Sequence, residues 1–297
     1  MRTRFILTAL MAIYAVSRFL QVSHDGIPFL AVVALHVLPP LLFALIHAGV
    51  LHGWRGSIVF LAICGVVGNA VENLGVRTGF PFGHYYFTDV MGPKLFVVPI
   101  LLGCAYVGMG YLSWTLGRLI LGGAGAPLAG ARIVVAPLVA SFIMVAWDLA
   151  GDPVWSTIVR AWVWLDGGAY FGVPVSNFLG WYAAVFRIYQ LFALYLRGRA
   201  PSSSRLSPAF WRLAVLFYAV SAAGNLLLLI QTAGPSTVVD ATGAQWKVSD
   251  ITAVSALVSI FVMGAFSLLA WVRLARNEAE PKEVAEPLRI GTASGRR

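Results

Sequence analysis

Long apolar runs alternate with short polar stretches rich in glycine and proline along almost the whole chain. Eight runs, roughly residues 5–22, 29–51, 57–74, 95–119, 133–150, 178–196, 209–230 and 251–274, each approach the roughly 20 residues a helix needs to cross the hydrocarbon core of a bilayer. The pattern predicts an all-α, polytopic transmembrane helical bundle of about eight spans, forming a single domain over residues 1–276. Residues 277–297 are polar and punctuated by proline, the composition of a disordered tail.

Composition supports this reading and charge orients it. With 59% hydrophobic and 11% charged residues in 297, the chain has more apolar surface than a soluble domain of that length could bury. Lysine and arginine near span ends are retained in the cytoplasm. Cytoplasmic N and C termini put most of the 21 basic residues inside and leave only Arg77, Lys94, Arg160 and Lys247 outside, with Arg18 and Arg187 within spans. The chain is thus expected to be a multi-pass protein of the cell membrane, and its formal charge of +9 to be largely topology. No dense basic patch carries base-reading chemistry, which argues against a nucleic-acid partner. Ala15-Val-Ser17 after a basic start matches a signal cleavage site, but a multi-span protein needs no removable signal. Cys64 and Cys104 fall in spans and imply no disulfide framework.

The outward segments 75–94 and 151–177 differ from the other connectors in their density of Gly, Pro and aromatic residues, and each follows a span that ends in acid. An interfacial aromatic belt explains some of the rings. It does not explain Glu72, Asp148 and Asp152, because an acid in a lipid-embedded helix costs roughly 2.5–3.5 kcal/mol and marks a functional site with a partner. A faint internal echo accompanies them: an acid-ended span, then Phe82-Gly83 or Phe171-Gly172, then Val98-Pro99 or Val173-Pro174.

On a helix, Asn69, Glu72 and Asn73 share one face, and Asp148 and Asp152 are one turn apart. Gly151 and Pro153 predict that this helix ends near Asp152. Arg18 and Arg187 are the natural counter-charges, and structural ion pairs are the plain alternative to a site. The five histidines lack the repeated short spacings of a histidine-held metal centre, and no dinucleotide, phosphate-loop or serine-nucleophile motif is present. What remains is acid/base chemistry on an apolar substrate. A desolvated carboxyl can keep its proton and act as a general acid, while a second, ionised one activates water. Aromatic faces stabilise a developing carbocation by about 0.5–2 kcal/mol each. These parts suit redox-neutral addition of water to an isolated alkene.

The run Glu72-Asn-Leu-Gly-Val-Arg-Thr-Gly-Phe-Pro-Phe-Gly-His-Tyr-Tyr86, the segment Trp147-Asp148 to Asp152-Pro153, and Tyr170-Phe-Gly-Val-Pro-Val-Ser-Asn-Phe-Leu-Gly-Trp181 resemble the membrane carotenoid hydratases, over roughly residues 60–195. That family includes the bisanhydrobacterioruberin hydratase of haloarchaea and bacterial γ-carotene 1′-hydratases. The resemblance implies an acyclic or monocyclic carotenoid with a ψ-type end as substrate, and water addition across its terminal C1=C2 bond. It implies no metal and no organic cofactor. Membrane lipid and other enzymes of the same pathway are the expected partners. On the chemistry above, Asp148 or Asp152 is the acid and Glu72 orients or deprotonates the water. Trp147, Tyr85, Tyr86, Trp164 and Tyr170, with Asn73 and Asn177 from the polar positions of these motifs, are the candidate substrate-binding residues. Arg18 or Arg187 sets the carboxylate charge states. A long polyene is about as long as the bilayer is thick, so its end can reach a site at the membrane face.

Two other classes compete. A proton-coupled transporter or lipid-binding protein would use buried acids around a midplane site formed by broken helices. A membrane prenyltransferase would need a second acid-rich motif to hold magnesium and diphosphate, and the chain lacks it.

Overall fold

The computed structural model describes residues 2–23, 26–123, 125–199, 206–230 and 234–279. The tail beyond 279, His24 and the serine run 202–204 lie outside the described residues. Among the described residues, seven helices are long and apolar enough to cross a membrane. They comprise α1 (Arg2–Leu20), α2 (Phe29–Thr78), α3 (Ile100–Ile120), α4 (Arg132–Pro153), α5 (Val175–Leu196), α6 (Pro208–Leu226) and a last span formed by α7 (Val248–Val258) and α8 (Gly264–Ala279).

The 50-residue α2 is two spans, as the hydrophobic pattern predicts. Gly53 breaks it in a conformation reserved for glycine (φ 73°, ψ 161°). The Ser57 hydroxyl donates to the Leu45 carbonyl at 2.9 Å. Twelve residues along a straight helix would separate these groups by about 18 Å, so the chain doubles back at Gly53. Seven helices therefore supply eight crossings.

One end of the bundle gathers the start of α1, the bend region of α2 and the start of α6, which together line one depression. There Leu128 also pairs with Arg197, and Gly122 lies against Arg273 of α8. At the opposite end three two-stranded ribbons cap the helices: β1 (Tyr85–Phe87) with β4 (Trp162–Trp164), β2 (Lys94–Leu95) with β3 (Val98–Pro99), and β5 (Thr237–Val239) with β6 (Gln245–Lys247). The echo in the sequence is visible here. Each acid-ended helix is followed by a strand, the two strands pair antiparallel with Tyr85 opposite Trp164, and Val-Pro then opens α3 and α5.

Two boundaries depart from the sequence pattern. The span expected from residue 95 begins at Ile100, because the β2–β3 ribbon turns through Phe96 (φ 57°) before the helix starts. The helix expected to stop near Asp152 instead runs through Gly151 and Pro153 into a π-helical turn, Val154–Ile158. Proline inside a helix leaves the carbonyl four residues earlier without its donor. Here side chains replace the lost bonds: Gln190 donates to Ile133 opposite Pro137, and the Tyr170 hydroxyl donates to Leu149 opposite Pro153 at 3.0 Å. The Val154 amide bonds Gly151, and the Ala150 carbonyl takes the Ser255 hydroxyl of α7 at 2.6 Å. The turn carrying Asp148 and Asp152 is thus fixed from two neighbouring segments.

Candidate active site

Glu72 lies near the capped end of α2 and is buried. Both carboxylate oxygens accept phenolic donors, Oε2 from Tyr85 and Oε1 from Tyr106 of α3. Tyr85 reaches it because the preceding loop is anchored by Phe82, whose ring is packed between Gly75 of α2 and Gly180 of α5. A Cβ at Gly75 would come within 2.6 Å of that ring and one at Gly180 within 2.8 Å, so both positions require glycine. Burial, reinforced by the Glu72 charge, raises the Tyr85 phenol above its usual range, which keeps its proton in place as a donor.

Asp152 is held by neutral donors too. The indole N–H groups of Trp162 and Trp164 reach Oδ1 at 3.0 and 3.3 Å, and Asn177 of α5 donates to Oδ2 at 2.6 Å. The same Asn177 nitrogen donates to Asp148 at 3.3 Å. Among the described residues, only Asn177 donates to Asp148. The ion pairs among the described residues are His84 with Asp166 and Lys94 with Asp89, neither involving these three acids. The plain alternative of structural ion pairs is not met at the acid cluster.

The three carboxylates line one cavity beneath the β1–β4 ribbon, enclosing about 650 Å³ of space that is partly open to the outside. Trp147, Trp155, Trp162, Trp164, Trp181, Tyr85, Phe82 and Phe87 supply the aromatic part of its wall. Trp181 also stacks on Tyr106, ring centroids 4.4 Å apart and planes within 5°. Arg18, His36 and Asn225 form a second polar pole of the same cavity. The buried Arg18 guanidinium donates to His36 Nε2 at 2.6 Å and to the Asn225 side-chain oxygen, and Asn225 in turn donates to Ser259 at 2.8 Å. Ser259 opens a second π-helical turn, Ser259–Met263, between α7 and α8.

The residues expected from sequence divide accordingly. Glu72, Asp148, Asp152, Tyr85, Trp147, Trp164, Asn177 and Arg18 meet in the cavity. Arg18 does so bonded to His36 and Asn225 rather than to a carboxylate. Arg187 is exposed on the outer side of α5 and does not join the cluster. Tyr86 is 46% exposed, because alternation along β1 turns it away from Tyr85. Tyr170 caps the Leu149 carbonyl and lies beside the cavity rather than in its wall; burial, then the charges of Asp148 and Asp152, push its phenol up to about 12. Asn73 does not share the cavity with Glu72 and donates back to Asn69 at 2.9 Å.

The sequence reading missed Tyr106, His36 and Asn225. Each is a hydrogen-bonding side chain within a run of apolar neighbours, so the rule that singled out the acids could have found them. Among the described residues, no group of three or more His, Cys, Asp or Glu side chains is arranged to hold a metal ion.

Residues 26–244 match the family model described as carotenoid biosynthesis protein. No curated protein and no solved structure shows significant similarity to the chain.

Proposed function

This chain belongs to the carotenoid biosynthesis protein family, and on that premise we propose that it is a hydratase of acyclic, ψ-type carotenoid ends. One observation carries the reading: three buried carboxylates, held by neutral donors alone, face a cavity walled by aromatic rings. Water addition to the terminal alkene needs a proton donor, an aromatic pocket for a tertiary cation, and a carboxylate to take a proton from water.

Asp148 is the donor in this scheme. Two carboxyls that share one amide and have no cation at ion-pairing distance relieve their repulsion when one of them keeps its proton. Asp152 and Glu72 are stabilised as carboxylates by two or more donors each, whereas Asp148 accepts one long bond, so Asp148 is the member of the set that carries the proton and can deliver it to the alkene. The carboxylic proton goes to C2 as the C1=C2 π bond breaks, which leaves the positive charge on tertiary C1. Trp147, Trp164 and Tyr85 face that charge, each contributing about 0.5–2 kcal/mol through the ring quadrupole. Water attacks C1, forming the C–O bond, and its surplus proton passes to Glu72 or Asp152. Substrate and product stand at the same oxidation level, so no redox cofactor enters.

The substrate's apolar body stays in the cell membrane while its end enters the cavity, and other enzymes of the same pathway are the natural neighbours. Expression in a bacterial host that makes lycopene, with pigments analysed by liquid chromatography and mass spectrometry, tests the reading. The expected result is a mass gain of one water per modified end with an unchanged visible spectrum. Asp148→Asn, Asp152→Asn and Glu72→Gln should each cut the yield, the proton donor by about 10²–10⁴-fold. No new pigment from lycopene, γ-carotene or a fifty-carbon acyclic carotenoid would overturn it.

A further inference from the structure

A second concavity lies on the other side of Tyr106. It runs between the second arm of α2 and α3, from the β2–β3 ribbon inward to Leu61, and encloses about 690 Å³ of space that includes open surroundings. From Asn69 to Leu61 it follows α2 for about 12 Å. Its wall is almost wholly apolar, and three glycines, Gly65, Gly68 and Gly103, keep it smooth. A Cβ at Gly65 or Gly103 would meet nothing within 4 Å, so both face open space rather than a packed neighbour. A Cβ at Gly68 would lie 3.9 Å from the Tyr106 ring. Tyr106 is therefore the partition: one side of it lines this groove, while its hydroxyl holds Glu72 and its ring stacks on Trp181 in the cavity wall.

We propose that this groove seats the polyene chain of the substrate, directing its end past Tyr106 toward Glu72. The proposal rests on the carotenoid hydratase reading and specifies where the rest of the molecule lies. A conjugated polyene is a flat, stiff, apolar rod. A glycine-smoothed groove, divided from the acid-bearing cavity only by Tyr106, matches that shape and chemistry. The exposed side chains of Leu95 and Ile100 at its outer end keep the mouth apolar.

A native thiol reports on occupancy without any catalysis. Cys104 lines the groove and is half-buried. In lipid nanodiscs carrying Glu72→Gln protein, an added acyclic carotenoid should slow alkylation of Cys104 by a small maleimide by about tenfold relative to lipid alone, read by peptide mass spectrometry. Equal labelling with and without pigment would overturn the proposal. As a second measurement, Gly65→Leu and Gly103→Leu should shift the ratio of KM for a long carotenoid to KM for a short isoprenoid with the same end by about tenfold. An unmoved ratio in variants that still turn over also counts against the groove. Failure of the parent reading looks different: wild-type protein that hydrates neither substrate.

Discussion

One nitrogen of Asn177 bridges Asp148 and Asp152, donating to the first at 3.3 Å and to the second at 2.6 Å. The two acids are one helical turn apart on α4 and the amide comes from α5, so the relationship depends on the packing of those two helices as well as on the chemistry of the acids. It also gives the pair its asymmetry, since Asp152 has two indole donors besides and Asp148 has none of its own.

Replacing Asn177 with Leu removes the shared donor while roughly keeping volume. Pigment hydration in the lycopene-making host should fall by about 10²-fold or more, because the acid pair loses the donor that bridges it. Asn177→Gln, which restores an amide on a longer arm, should recover part of the loss. Yields for Asn177→Leu within twofold of wild type would remove the amide from the mechanism.

Tyr170 illustrates a residue whose chemistry suggested substrate binding and whose position gives it a structural role. Tyr170→Phe leaves the Leu149 carbonyl without its donor beside Pro153 and should cost about 1–3 kcal/mol of stability. A thermal unfolding assay in detergent should show a lowered Tm, with a loss of hydration smaller than that of any of the three acid substitutions. An unchanged Tm together with an activity loss equal to that of Asp148→Asn would instead put the hydroxyl in the reaction.

Gly75→Ala should disturb the site from one helical turn away. The new methyl would sit 2.6 Å from the Phe82 ring and 2.9 Å from the Tyr85 hydroxyl, an overpacking worth about 1–3 kcal/mol that also displaces a donor from Glu72. Phe82→Leu in the same chain should relieve part of the clash and restore part of the stability. Additive losses in the double variant would show that the two positions do not share the contact.

The β5–β6 ribbon carries its own pH dependence. Burial would raise the Asp240 carboxyl, but donors from Thr242, Trp246 and Ala244 outweigh it and hold the group below its ordinary range. A carboxyl depressed in the folded state stabilises it above the ordinary carboxylate range and loses that contribution as pH falls through its folded value. Protection of the Thr242 and Ala244 amides against hydrogen exchange, relative to intrinsic rates, should therefore decline on strong acidification in wild type but not in Asp240→Asn. The same pH dependence in both proteins would exclude the carboxylate as its cause.

By itself, the sequence determined the eight crossings, the grouping of Glu72, Asp148 and Asp152 at one end of the bundle, and the aromatic loops beside them. Run length and the insertion cost of an acid are local properties, legible without knowing any neighbour. Even the doubling back at Gly53 lies where the apolar runs break. Tertiary structure alone decided which groups hold the acids, that Arg18 bonds His36 and Asn225, and that Arg187 and Tyr86 face outward. Lipid and bundle interior are equally apolar, so the periodicity that orients a helix in a soluble protein says little here about which face turns inward. The partners Tyr106 and Asn177 lie 34 and 29 residues from the acids they hold, and only the packing of α3 and α5 against α2 and α4 brings them within reach.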